Sequence, residues 1–406
     1  MRPFLALFLA LLVSGCVGDK AELVHSVWRP ADGAAVERTV WYATDRAADK
    51  DWPGGFGKHW SDALSCGRTV AVLPAMSLVG EDISTGHLKP AAQAPLACAD
   101  LDAFAARLAG EAHAKNCNEV LIYVHGFNTL FDGAVLRAGQ LANDAQMPCP
   151  ALAFSWSSEG EVGRYIADIE HSAYAVPEFE ALLRGLAKSG MHVDILGHSM
   201  GARIALSALA SMARHREPPP DDFVGELILA AADVGADPVN DDFAHLLGDA
   251  RPFVHRITVY ASSGDAVLAV SAVAHGDVAR AGHRPLGDRA LAAAGPDHAV
   301  DIVDATDAPA ELLGHSYFGL SYEAVSDIAL VLHGATVAQR LSKIDGWPVT
   351  LVCRPVEGES GCDPRLPHYV LYVDPARRPD FFVRLVRRLV PLLPRIELAP
   401  LNPSGE

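Results

Sequence analysis

From Val120 onward, short runs of β-branched and apolar residues alternate with stretches of helical periodicity. "EVLIYVHG" leads into "DGAVLRAGQLAND", "PALAFSW" into a long helical stretch ending at Leu186, and "HVDILGH" into "ARIALSALASMA". "GELILAAADV", "HRITVYASS" and "AVDIVDA" follow, each with a helix after it. Strands separated by helices pair through crossovers, and crossovers give a parallel sheet covered on both faces. Two earlier strands, "RTVWYAT" and "RTVAVLP", have no helix between them and predict an antiparallel N-terminal edge. The expected fold class is therefore α/β, with a mostly parallel, doubly wound sheet of about eight strands.

With 406 residues, half of them hydrophobic and 20% charged, the chain is long enough for one large α/β domain with additions. The net charge of −17, without any Lys/Arg block, repels phosphate backbones, so nucleic acid is not an expected partner.

The N-terminus, "MRPFLALFLALLVSGC", combines one Arg, an apolar run from Pro3 to Val13 too short to span a bilayer, and small residues before a cysteine. This reads as an export signal, and Val13-Ser14-Gly15-Cys16 resembles the bacterial lipobox, in which cleavage leaves a lipidated Cys at the new N-terminus. An ordinary secretory signal is the alternative. The mature chain is expected to begin at Cys16 and to be held at a membrane in the cell envelope by acyl chains. Cys66, Cys98, Cys117, Cys149, Cys353 and Cys362 remain, an even number suited to an oxidising compartment. Cys353 and Cys362 flank the short loop "RPVEGESG" and are the expected disulfide; without a CxxC or a His at ligand spacing, no metal site is expected. The pairing of the other four stays open.

The layout expected is a signal peptide over 1–16, a tether over 17–35, the main domain over 36–341, and a C-terminal appendage over 342–406 made of a hairpin and an amphipathic helix. In "DFFVRLVRRLVPLL", Phe381, Phe382, Leu385, Val386, Leu389 and Val390 share one helical face, with Arg384, Arg387 and Arg388 opposite. That apolar face is expected to pack on the main domain, with anionic lipid as the alternative partner.

Gly197-His198-Ser199-Met200-Gly201 matches G-x-S-x-G, a pattern that is weak alone and gains weight from context. A tight turn between a buried strand and a helix throws a serine hydroxyl clear of the sheet, and the glycines relieve backbone contacts. "VDIL" supplies the strand and "ARIALSALASMA" the helix, whose N-terminus aims its amides at an anion formed near Ser199. Donors for an oxyanion are expected from the amide of Met200 and from the loop after "LIYVHGFNT", at Phe127 or Asn128. His125 in that loop is expected to brace it.

A serine hydroxyl needs a base, and the base needs a carboxylate to orient it. Chain order in such sites is Ser, then Asp or Glu, then His. Asp265, past "ITVYASSG", is the preferred acid, and Asp233, past "LILAAA", is the alternative. Among the later histidines only His315 lies in a loop between the last main strand and the next helix. Its tripeptide Gly314-His315-Ser316 repeats Gly197-His198-Ser199, yet Phe318 replaces the second glycine, so here the His and not the Ser is expected to act.

"VWYATDR", "LSCGRTVAVLP", "VLIYVHGFNTLFDGAVLRAGQLA", "FSWSSEG", "ILGHSMGARIAL", "VYASSGDAVL" and "LLGHSYF" together resemble a bacterial α/β-hydrolase family of unknown function in the esterase/lipase superfamily. The resemblance runs from about Val36 to Leu341. It implies the α/β-hydrolase fold, with Ser199 as nucleophile, Asp265 as acid and His315 as base, and it implies no cofactor. "LSCGR" departs from the family's usual Tyr before the Gly, and Cys66 there suggests a disulfide peculiar to an exported protein. The expected activity is cleavage of a small-molecule or lipid ester through an acyl-enzyme. An amidase or transacylase using the same residues, and a catalytically idle envelope binding protein, are the alternatives.

Overall fold

A computed structural model describes residues 35–74, 83–89, 96–98, 100–214, 219–236, 242–283, 300–342, 349–353 and 368–389. Cys16 and Cys362 lie outside these, so lipidation and the Cys353–Cys362 bridge do too.

β1 (Val36–Ala48) and β2 (Phe56–Leu73) form the antiparallel edge, and the short β3 (His87–Leu88) and β4 (Leu96–Ala97) pair with β2. After α1 (Leu101–Ala114) come β5 (Glu119–Val124), α2 (Phe131–Asp144), β6 (Ala151–Ser155), α3 (Tyr165–Lys188), β7 (His192–His198) and α4 (Met200–Ala213). The alternation continues with β8 (Val224–Ala230), α5 (Asp242–Ala250), β9 (Val254–Ala261), α6 (Ala266–Ala274) and β10 (Val300–Asp304). α7 (Tyr317–Leu320), α8 (Tyr322–Leu332) and α9 (Val337–Arg340) precede β11 (Leu351–Cys353), β12 (His368–Leu371) and α10 (Phe381–Leu389).

The sheet has 12 strands in the order β11-β12-β10-β9-β8-β7-β5-β6-β1-β2-β3, with β4 also on β2. Pairing is parallel from β1 across to β12 and antiparallel at both edges. The expected strands are all present; the excess over eight is made of short edge strands. Two of these come from the C-terminal segment: β12 runs parallel to β10 and β11 antiparallel to β12, so the expected hairpin extends the main sheet instead of standing apart from it.

Side-chain alternation along the strands builds two cores. Val120, Ile122 and Val124 face α1, α3, α4 and α5, whereas Leu121 and Tyr123 face α2 and α8. Both faces of the central strands are buried, which is why they read as largely apolar runs, interrupted only by Asp194 in β7 and Glu226 in β8. Disulfides join Cys66 to Cys98 and Cys117 to Cys149, with Cα atoms 5.3 and 5.5 Å apart. No helix among the described residues is long and apolar enough to cross a membrane.

α10 departs from expectation. Phe382, Leu385 and Leu389 are 65%, 39% and 49% exposed, while Arg387 is only 6% exposed. The helix therefore turns Arg387 toward the protein and leaves these three apolar side chains, with Arg384, on its outer side; the buried guanidinium is satisfied by carbonyl partners. Val267 lies inside α6, and residues 284–299, which follow it, lie outside those described.

Candidate active site

Strand order reverses around β5, since β6 lies on one side of it and β7 on the other. Such a switch point opens a crevice at the carboxyl ends of the strands. The loop after β5 and the turn after β7 both end there.

The turn after β7 is Ser199, with φ 54° and ψ −119°, a conformation that L-residues reach only under constraint from their surroundings. The flanking glycines supply it. A Cβ on Gly201 would collide with the Val124 and His125 carbonyls, and one on Gly197 would lie 2.7 Å from the Ala202 Cα. Ser199 stands at the N-terminus of α4 without capping it, and that helix has no acidic residue in its first turn, so the positive end of its dipole is left to an incoming anion.

The loop from His125 to Thr129 packs directly on this turn: a Cβ on Gly126 would lie 2.8 Å from the Ser199 Cβ. His125 braces the loop as expected. Its ring nitrogens face the Gly126 and Trp156 carbonyls at 2.8 and 3.1 Å, and Trp156 donates back to the His125 carbonyl at 2.7 Å. Burial, with the Arg46 charge, drives its pKa down to about 3, so the ring is neutral and donates to one carbonyl at a time. Of the two amides expected as loop donors, that of Asn128 donates to Asp168 Oδ2 at 3.3 Å.

Several supports of this loop escaped sequence reasoning. Fully buried Arg46 donates to Gly57, Ser158 and Thr129 carbonyls at 3.0, 3.0 and 2.7 Å. Asp168 accepts from the Ser158 hydroxyl at 2.6 Å and from the Glu159 amide at 2.7 Å. The signal was the unexplained charge in "YATDR" and the polar "SSEG" after a buried strand.

Asp265 and His315 are brought together. Asp265 is fully buried and caps α6, accepting from the Leu268 amide at 2.9 Å with Oδ1; His315 Nδ1 donates to Oδ2 at 2.7 Å. Burial opposes a proton on the His315 ring, but the Asp265 charge and hydrogen bond, joined by Glu311 and Asp233, outweigh it and raise the pKa above the ordinary histidine value. Glu311, another residue missed from sequence, accepts from the His315 and Ser316 amides at 2.7 and 3.0 Å. The His315 ring packs against His198, the residue before Ser199, at a centroid distance of 4.7 Å. His198 also stacks on Phe318 at 4.2 Å, and burial, then the nearby His315, keep its pKa well below normal.

Asp233 is not brought to His315 as a hydrogen-bond partner. Tyr165, Ser271 and Arg280 donate to its carboxylate at 2.6, 2.7 and 2.6 Å. Burial works against that charge, yet Arg280 and the two hydroxyls hold the carboxyl below its usual range.

A cavity of about 820 Å³ opens beside these groups, lined by His198, His315, Phe127, Leu136, Val270 and Phe318 among others. Among the described residues no group of three or more His, Cys, Asp or Glu is placed to hold a metal ion. A carboxylate-oriented imidazole, next to a serine on a constrained turn at a helix N-terminus, can activate a nucleophile and stabilise an oxyanion.

No curated protein and no solved structure matches the chain. Residues 101–333 match the family model described as alpha/beta hydrolase of unknown function (DUF900), which agrees with the mostly parallel sheet and its antiparallel N-terminal edge. That match covers more than half of the chain, and the protein belongs to this α/β-hydrolase family.

Proposed function

We propose that the protein is a serine hydrolase that cleaves carboxylic esters through an acyl-enzyme. The observation that carries this reading is the 2.7 Å bond between His315 Nδ1 and Asp265 Oδ2, beside the turn that holds Ser199. Asp265 keeps the proton on Nδ1, so Nε2 is the basic nitrogen. Ser199 Oγ attacks the ester carbonyl carbon while its proton passes to His315 Nε2. The carbonyl electron pair moves to oxygen, where the Met200 and Phe127 amides receive it. The C–O bond to the leaving alcohol then breaks, and that oxygen takes the proton from His315. Water, deprotonated by the same imidazole, releases the acid and restores Ser199.

The substrate side of this reading is a small-molecule or lipid ester, supported by the largely apolar cavity. The chain is further proposed to be exported and anchored to a bacterial membrane through acylated Cys16. The Cys66–Cys98 and Cys117–Cys149 disulfides support an oxidising compartment.

A fluorophosphonate probe tests the chemistry. The protein is expected to be labelled at Ser199, with Ser199→Ala unlabelled and inactive on a short-chain ester. Peptide mapping that places the adduct on Ser316, or finds none, defeats the proposal.

A further inference from the structure

The loop carrying His315 is held by a side chain from far along the chain, beyond the 101–333 stretch that matches the family. Arg387, on α10, donates from Nε to the Leu312 carbonyl at 3.2 Å and from Nη2 to the Glu311 carbonyl at 3.0 Å. The guanidinium also covers two glycines, each immediately before a residue of the proposed triad. A Cβ on Gly314 would lie 2.7 Å from Arg387 Nε and 2.6 Å from the Gly264 carbonyl, and one on Gly264 would lie 3.5 Å from Arg387 Nη1. At Gly314 there is therefore no room for a side chain between the Asp265 loop and the arginine, while Gly264 sits at ordinary contact distance from the guanidinium. Gly314 has φ +71°, so glycine is required there for conformation as well as for space.

The remaining ties of the loop converge on the same place. The Ala266 amide donates to the Leu313 carbonyl at 2.9 Å, and the Glu311 carboxylate receives the His315 amide at 2.7 Å. Residues 311 and 312 hang on Arg387, 313 on the acid loop, and 315 on Glu311 and Asp265. The Glu311 carbonyl also accepts from the Gly314 amide at 2.9 Å, a tie within the loop itself, whereas Arg387 holds the 311 and 312 carbonyls from outside the loop.

We infer that Arg387 is a positioning residue: it locks the His315 loop onto the Asp265 loop and so sets where the imidazole sits relative to Ser199. This rests on the proposed Ser199–His315–Asp265 reading. A misplacement near 1 Å at a reacting group costs about 100-fold in rate. A guanidinium that served only to fill space would be replaceable by an apolar side chain of equal length. One that positions the base would not.

The test uses the full chain with Arg387→Met and Arg387→Lys, measuring melting temperature, kcat and KM on a soluble ester, and the rate of fluorophosphonate labelling at Ser199. The low-field proton resonance of His315 Nδ1–H is read in parallel. Met is expected to lower kcat and the labelling rate by about 100-fold with KM unchanged, and to broaden or remove the low-field resonance. Lys, which keeps one donor but cannot span both carbonyls, should recover part of the rate. If Met does not fold, Lys is read on the same quantities. Folded variants with wild-type kcat and resonance overturn the inference, as does a loss of rate matched by the loss of folded protein. A wild type that is not labelled at Ser199 defeats the underlying hydrolase reading and takes this inference with it. Labelled wild type with equally labelled variants defeats the inference alone.

Discussion

Two buried carboxylates past the ends of neighbouring strands have found different partners, and the partners separate their roles. Asp265 bonds to an imidazole, whereas Asp233 is occupied by Arg280, Tyr165 and Ser271. Asp265→Asn is expected to lower ester turnover by about 10⁴, since an amide in that position favours the wrong tautomer. The pH profile gives the sign. His315 must be unprotonated to act, and its raised pKa places the acid limb of kcat/KM above the ordinary histidine value of about 6.5. Because the Asp265 charge is what overcomes burial, the limb of residual activity in Asp265→Asn should move down; a limb that stays put counts against the pairing. Asp233→Asn should instead destabilise, by about 3–5 kcal/mol, because Arg280 is left buried without its charge partner. The Asp233 pKa is depressed in the fold, so its contribution is present above the unfolded carboxyl range and fades as pH falls through the folded value. Chemical denaturation of both variants, with Ser199 labelling of the folded fraction, distinguishes the two effects.

At the scale of elements, strands and helices were legible because burial on two faces leaves long apolar runs and burial on one leaves a period near 3.6. The turn at Ser199 was legible for a local reason, two glycines whose missing side chains the backbone needs. The α10 pattern misled, since periodicity says which face of a helix is apolar but not which face is turned inward. One arginine with two carbonyl partners reversed it. Pattern preferred Asp265 to Asp233 by chain position alone, as both follow apolar strands; packing adds that Arg280 holds Asp233. The disulfide pairing also needed the fold, because β4 lies beside β2 only once the sheet edge forms. Each bridge spans a sequence separation of 32 residues, so opening either one by Cys→Ser exchange should cost about 3–4 kcal/mol through the freedom returned to the unfolded chain. Among the described residues no cysteine lines the cavity, so turnover per folded molecule should not change. Melting curves with and without reductant, alongside active-site titration, check both halves of that statement.

For the whole molecule the question is where it works. Cys16→Ser is expected to shift the protein from the membrane fraction to the soluble one while leaving hydrolysis of a soluble ester intact, because every residue of the proposed active site lies after β1, which starts at Val36. Two or more acyl chains give lasting attachment at about 0.8 kcal/mol per buried CH₂. The outward apolar residues and Arg384 of α10 offer a second route to a bilayer, which a high-salt wash weakens where it depends on charge. Retention of Cys16→Ser in washed membranes counts against lipidation as the anchor. Arg387 is synthesised long after Ser199. A ribosome adding roughly 5–20 residues each second finishes the turn at Ser199 some tens of seconds, at the slower rates, before it reaches the arginine that secures the base. On the proposed reading the emerging polypeptide carries its nucleophile unarmed throughout that interval, so a product cut short by stalled synthesis is expected to be a poor hydrolase.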